Sequence, residues 1–216
     1  MRQEVEVRSA YDAAAQDYAN RFGNELEAKA EDRTLLRDLA AHAEGGLIAD
    51  LGCGPGHVTD YLARLSADVV GFDLSPAMIE VARRSYPELE FVVGSMLDLP
   101  WEDGSLSGAV AFYSVIHLTP SERVAAFTEI GRALRSGGHL LVAAHIEGPG
   151  FAAGSTNSAR EFLGHPVKMD GYFIGGDDLA EEVQTAGFTV CKRIERGPLP
   201  TVEYPSRRCY LLAVSE

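Results

Sequence analysis

Asp50-Leu51-Gly52-Cys53-Gly54-Pro55-Gly56 is the segment whose residue types and spacing say most about chemistry. Glycines let a backbone turn tightly and approach a ligand closely, and a strand-to-helix turn at the carboxyl edge of a doubly wound sheet is where such folds bind ligands. Asp73 follows Gly52 by 21 positions, close to the ~20-residue offset at which an acid accepts hydrogen bonds from a ribose diol. The pair points to an adenosine-containing ligand. A dinucleotide loop would read G-x-G-x-x-G, whereas the spacing here is G-x-G-x-G with His57 in the expected place of the third glycine. A Tyr-x-x-x-Lys pair is also missing, since none of Lys29, Lys168 and Lys192 has a tyrosine four residues before it.

These residues need a scaffold of alternating strands and helices. Gly46 to Leu51 and Asp68 to Asp73 are short apolar runs with an amphipathic stretch between them, a strand, helix, strand unit. Ser75 as N-cap and Pro76 at the first helical position open the next helix, whose buried face is Met78, Ile79, Val81 and Ala82. Leu89 to Val93, Leu106 to Tyr113 and His139 to Ala144 predict three further strands. Thr119-Pro120-Ser121-Glu122 is a capping box opening a helix that Gly137 and Gly138 are expected to stop. Residues 146–176 read as a long irregular loop, followed by a helix near Asp178 to Ala186 and strands near Phe188 to Glu195 and Arg208 to Val214. Val5 to Phe22 and Ala28 to Ala43 predict two helices ahead of the first strand. Alternating βα units of this kind imply a mostly parallel α/β sheet with helices on both faces.

The chain's 216 residues are enough for one domain with one large core. Its 19 Lys and Arg against 32 Asp and Glu give a net charge of −13, which repels nucleic-acid phosphates and anionic membranes. No apolar run reaches transmembrane length and the N-terminus lacks a signal-peptide pattern, so a cytoplasmic protein is expected. Cys53, Cys191 and Cys209 are widely spaced and suggest no disulfide framework. The histidines at 42, 57, 117, 139, 145 and 165 include no H-x-x-x-H pair, so nothing argues for a metal.

D-L-G-C-G-P-G at 50–56, G-F-D-L-S at 71–75, Y-S-V-I-H-L at 113–118 and L-R-S-G-G-H-L at 134–140 resemble, in order and spacing, the motifs of class I S-adenosylmethionine-dependent methyltransferases. Tyr11-Asp12-x-x-Ala15-x-x-Tyr18 resembles the lid helix of that family's small-molecule branch. The resemblance implies a Rossmann-like, doubly wound seven-stranded sheet whose last strand is antiparallel. It divides a single domain into N-terminal lid helices (1–45), a cofactor-binding core (46–145), a substrate loop (146–176) and a C-terminal helix and strands (177–216).

The same resemblance assigns roles. Asp50, with the turn Gly52, Cys53, Gly54 and Gly56, would surround the methionine part of S-adenosylmethionine, and Asp73 would hold the ribose. Leu74 and Met78 would lie near the adenine on one side and Ser95, Met96 and Leu97 on the other. Ser95 stands where the family commonly has an Asp for the adenine amino group, and Ser107 where it usually has an acid. Tyr113 and Ser114 would lie beside the cofactor, with Tyr11 and Tyr18 covering it from the lid. The product would be S-adenosylhomocysteine.

Methyl transfer from a sulfonium asks the protein mainly for alignment and desolvation, with a base only where the nucleophile must lose a proton. His117 and, second, His145 are the candidates, because both follow strands at the cofactor edge and histidine titrates near neutral pH. Glu147, His165, Tyr172, Glu203 and Arg207 are candidate substrate contacts. The expected acceptor is a neutral or cationic small molecule offering O, N or C to a monomer or homodimer, with no nucleic-acid or membrane partner. Tyr113-Ser114-Val115-Ile116 in place of an N-P-P-Y type motif also speaks against nucleic-acid amino groups. The alternative is a homologue that binds the cofactor without transferring methyl groups, as a cyclase or accessory protein.

Overall fold

Strand β1 (Ile48–Leu51) is buried along its whole length, as a central parallel strand covered on both faces must be. The computed structural model describes residues 2–216. β1 pairs in parallel with β2 (Val69–Asp73) through Ala49 and Val70, and with β4 (Leu106–Phe112) through Ala49 and Ala109. With β3 (Glu90–Val93), β5 (Leu134–Glu147), β8 (Phe188–Arg196) and β9 (Arg207–Ser215), the sheet order is β3-β2-β1-β4-β5-β9-β8. β9 is inserted between β5 and β8 and runs antiparallel to both, with Leu141 opposite Leu212 and Val190 opposite Ala213. This is the mixed, doubly wound sheet expected of the sequence.

Two helical layers cover it. On one face α2 (Ala30–His42) sets Leu35, Leu36 and Leu39 against Ile48, Val110 and Leu141, beside Val58 and Leu62 of α3 (His57–Arg64). On the other, Phe127 and Ile130 of α5 (Pro120–Ala133) meet Leu179 and Val183 of α6 (Gly176–Thr185). The caps form as their chemistry requires. Ser75 Oγ accepts from Met78 N at 3.1 Å to open α4 (Pro76–Ser85), and Thr119 and Glu122 close a reciprocal box on α5.

Three expectations change. The second N-terminal helix is part of the core rather than a lid, because its leucines find the sheet; α1 (Arg2–Phe22) alone lies as a cover, packing Ala15 on Met78 and Val81 of α4. Residues 146–176 are not irregular throughout, since β6 (Thr156–Phe162) and β7 (His165–Tyr172) form an antiparallel hairpin with Ala159 opposite Met169. That hairpin gains its apolar partner from outside itself, Met169 packing with Val7 and Ala10 of α1. Finally, α5 ends at Ala133 before its glycines, and Gly137, with φ of +75°, lies within β5 where pairing with β4 slips between Leu106 and Gly108.

Candidate active site

The carboxyl ends of β1, β2 and β4 meet under α1 and enclose two adjoining cavities. Gly52 has φ of +76°, and a Cβ there would stand 2.2 Å from Ser114 Cβ, so only glycine fits. Gly54, with φ of +54°, passes below the Tyr18 ring. The first cavity is walled by these glycines, Asp73, Leu74, Met78, Ser95, Met96, Phe112, Tyr113 and Ser114, with Tyr11 and Tyr18 above. The second extends past the turn to Asp50, Cys53, His57, Glu25 and Asp32. Gly52, Gly54, Tyr18 and Tyr113 line both, so an elongated molecule can lie across the glycine turn.

Asp73 Oδ2 accepts from Gly54 N and Oδ1 from Ser75 N, both at 2.8 Å, which fixes the carboxylate between turn and helix. Burial pushes its pKa up to about 6 against those two hydrogen bonds. Asp50 Oδ2 accepts from Thr59 Oγ1 at 2.6 Å, and burial likewise raises Asp50 to about 6. Gly56 and Leu97 do not line these cavities. A Cβ on Gly56 would meet Phe91 Cζ at 2.8 Å, so this glycine serves close packing behind the turn, and Leu97 N donates to Ser95 Oγ at 3.2 Å.

A third cavity, about 410 Å³, opens between α1, the β6–β7 hairpin and residues 202–208. Its walls include Phe22, Phe162, Tyr172, Phe173 and Tyr204, and its charged groups balance, Arg21, Lys29 and Arg208 against Glu25, Glu161 and Glu203. Tyr11, Tyr18, Tyr113 and His117 line both this cavity and the first. Tyr113 is held there at a positive φ of 55°, its hydroxyl 2.8 Å from that of Tyr210. A strained residue at such a junction is maintained only by its surroundings.

The two histidines sit differently. His117 Nδ1 lies 2.9 Å from the Asp170 carbonyl, which can only accept, so Nδ1 carries the proton and Nε2 accepts from Tyr11 Oη at 2.8 Å. Burial holds His117 below its usual pKa, against the Asp170 bond. His145 faces only the third cavity, stacked on Tyr113 at 4.8 Å with Nδ1 2.7 Å from Ser206 Oγ. Burial first, then Arg208 and Lys29, lower it to about 3, which makes it a poor proton acceptor near neutral pH.

Among the proposed substrate contacts, Tyr172 lines the third cavity and Glu203 is a buried anchor in its wall, bonded to Arg196 at 2.7 and 2.9 Å and to Leu199 N at 2.7 Å. Glu147 and Arg207 pair with each other at 3.2 Å, and His165 pairs with Asp17 at 2.8 Å; none of the three lines the cavity. Sequence reasoning missed Gln3, Glu4, Val7 and Arg8 at the start of α1 and Glu25, Lys29 and Asp32 before and in α2, all of which line these cavities. The seven-residue spacing of Glu4, Tyr11 and Tyr18 is the signal that places the first group on the tyrosine face.

The arrangement fits an adenosyl sulfonium donor on its own terms. Ser114 Oγ, Asp32 Oδ2 and His57 Nδ1 are buried without hydrogen-bond partners among the described residues, and all three line the paired cavities. Buried polar atoms left unpaired beside a cavity mark where a polar ligand completes them.

Comparison with known proteins agrees. The family model described as "Methyltransferase domain" matches residues 48–138. The O-methyltransferase cnsE of Penicillium expansum is 31% identical over 68% of this chain and 54% of its own length. The demethylmenaquinone methyltransferase of Beutenbergia cavernae is 33% identical over 59% of this chain and 54% of its own. The chain thus spans about half the length of these curated relatives. The crystal structure of magnesium protoporphyrin IX methyltransferase from Synechocystis, with S-adenosylmethionine bound, shares the fold at a TM-score of 0.70 and 18% identity, covering 99% of this chain and 97% of that one. This chain belongs to the class I S-adenosylmethionine-dependent methyltransferases.

Proposed function

We propose that the chain binds S-adenosylmethionine across the two adjoining cavities and transfers its methyl group to a small neutral acceptor in the third. The observation that carries this reading is the set of four residues, Tyr11, Tyr18, Tyr113 and His117, that line both donor and acceptor sides. When bound, the cofactor supplies an electrophilic methyl on a sulfonium, and the protein supplies alignment and exclusion of water.

Asp73 would receive the ribose hydroxyls, between Leu74 and the glycine turn. Asp50, Glu25 and Asp32 line the space that would receive the methionine ammonium, and Ser114 offers a hydroxyl beside Gly52. Leu74, Met78 and Met96 give apolar surface for the base. On the acceptor side, the aromatic walls suit a planar or apolar body, and the balanced charges favour a neutral one over the cationic acceptor that the net charge alone would also admit. His117 is the group to hold a proton leaving the nucleophile, taking it on Nε2 when the Tyr11 bond exchanges. His145 would shape the wall and keep Tyr113 in place.

Incubating the protein with a metabolite extract and methyl-labelled S-adenosylmethionine tests the reading through a product heavier by one labelled methyl group. Calorimetry showing no binding of S-adenosylmethionine or S-adenosylhomocysteine, while NADH binds, would sink it. One observation favours a second reading, a cofactor-binding homologue that does not methylate: His117 Nε2 is already engaged by Tyr11. Thioether binding without label transfer to any metabolite would select that reading.

A further inference from the structure

Lys29 and Arg208 are buried cations in the wall of the third cavity, 3% and 2% exposed. Both flank Glu203 Oε1, Lys29 Nζ at 3.7 Å and Arg208 Nε at 3.3 Å, so the two stand close together. That carboxylate is largely committed elsewhere. Arg196 donates to both its oxygens and Leu199 N adds a third bond, which leaves about one acceptor position for two cations. Lys29 gives one of its three ammonium donors to Glu25 at 2.9 Å. Arg208 donates to the carbonyls of Ser206 and Tyr204 at 2.6 and 3.0 Å, while its buried Nε–H has no acceptor among the described residues. Leaving such a donor unpaired costs free energy that a ligand atom recovers.

The pair also stands at the junction of the cavities. Lys29 Nζ is 5.4 Å and Arg208 Cζ 5.9 Å from the centre of the Tyr113 ring, and Tyr113 lines donor and acceptor sides alike. Lys29, Arg196 and Arg208 are already matched by Glu25, Asp32 and Glu203, so an anionic ligand group would bring buried charge without a partner. A carbonyl oxygen has two lone pairs, no charge and no proton of its own to place. We propose that Lys29 and Arg208 form a carbonyl-binding subsite, so that the methyl acceptor carries, besides its nucleophilic atom, a neutral carbonyl oxygen held beside Tyr113. The assignment rests on the reading of the third cavity as the acceptor site.

The test uses fluorenone and fluorene, planar tricycles that differ by one carbonyl oxygen, titrated into the chain loaded with S-adenosylhomocysteine. Fluorenone should bind more tightly by roughly 10- to 100-fold, as expected for hydrogen bonds from charged donors. In infrared difference spectra its carbonyl stretch should lie below the position found in an apolar solvent, because hydrogen bonding weakens the C=O bond. Lys29→Met and Arg208→Met should each reduce the preference by at least about 3-fold and move the stretch back up, whereas a merely structural loss would weaken both tricycles alike. The two wild-type readouts decide the matter even where a variant loses its fold. Fluorene binding as tightly as fluorenone, a stretch at the apolar-solvent position, or binding of neither tricycle to the loaded chain overturns the carbonyl subsite alone. Failure of the chain to bind S-adenosylhomocysteine overturns the donor site and this assignment with it.

Discussion

Tyr11 of the covering helix donates its hydroxyl proton to His117 Nε2 at 2.8 Å, while His117 Nδ1 donates to the carbonyl of Asp170 in the hairpin. One imidazole therefore joins three parts of the molecule, the cover, the end of the central strands and the hairpin. Its neutral tautomer is set by the carbonyl, which can take only a proton donor.

The first prediction follows from that bond. His117→Ala removes the proposed proton acceptor, so kcat should fall by roughly 10²- to 10⁴-fold for an acceptor that must lose a proton. Affinity for S-adenosylhomocysteine should change by no more than about 3-fold, because Asp73 and the glycine turn remain. Tyr11→Phe keeps the imidazole and frees Nε2. It should cost only about 1 kcal/mol of stability, and kcat should stay far above that of His117→Ala. Equal loss in both variants would mean that the pair acts as a structural clamp.

Asp73 makes donor binding depend on pH with a defined sign. Its carboxyl is raised to about 6 in the free chain, so below that pH a proton must leave before the carboxylate can receive the ribose hydroxyls as an anion. The Kd measured by calorimetry should be flat above about pH 7 and rise roughly tenfold by pH 5 through this group. Stability of the free chain responds oppositely. Between the unfolded pKa near 3.9 and the folded value, the native state binds the extra proton, so acidification through pH 6 stabilises it through Asp73. Asp73→Asn should weaken binding at pH 7.5 and remove this group's share of both trends, leaving that of Asp50, which is also raised to about 6. A wild-type Kd unchanged between pH 7.5 and 5 would show that the ionised form is not required.

Glu203 is the strongest structural prediction outside the donor site. Its side chain is fully buried and pairs with Arg196, which also bonds Asp32 at 2.9 Å; Arg208 lies 3.3 Å away. Burial opposes ionisation, but the Arg196 bonds outweigh it and hold the carboxyl down at about 2. Removing one partner of such a pair leaves buried positive charge uncompensated, so Glu203→Gln should cost about 3 kcal/mol in denaturant unfolding. A loss below about 0.5 kcal/mol would place this network in the weak class of surface pairs.

What the sequence makes legible is local backbone chemistry. Gly52 and Gly54 are required by positive φ, and the caps at Ser75 and Thr119 are decided within four residues, so each can be read without a fold. Gly56 looks the same as its neighbours in the chain, yet its reason is the Phe91 ring from another strand. The β6–β7 hairpin is hidden for a related cause: Met169 is its only fully buried side chain, and a two-stranded ribbon is stable only when something covers it. Here Met169 finds Val7 and Ala10, a contact across more than half the chain. Glu25, Lys29 and Asp32 read as ordinary polar helix-start residues until the fold sets them against the glycine turn and the residues before β9.

His145 provides the prediction that separates wall from base. Its folded pKa of about 3 lies far below the usual 6.5 because the ring is buried beside Tyr113, with Arg208 and Lys29 nearby. Between those values the unfolded chain binds a proton that the native chain refuses, so this residue's contribution to stability is complete above about pH 6.5 and is lost on acidification toward 3. By pH 5 the loss amounts to about 2 kcal/mol. His145→Asn removes the titration, so the wild type's advantage in Tm over the variant should shrink by about 4–8 °C between pH 7.5 and 5. The variant should also keep S-adenosylhomocysteine binding, since His145 does not line the donor cavities. A constant Tm difference across that range would mean that the imidazole is protonated in the folded state, and His145 would then return as a candidate for proton transfer.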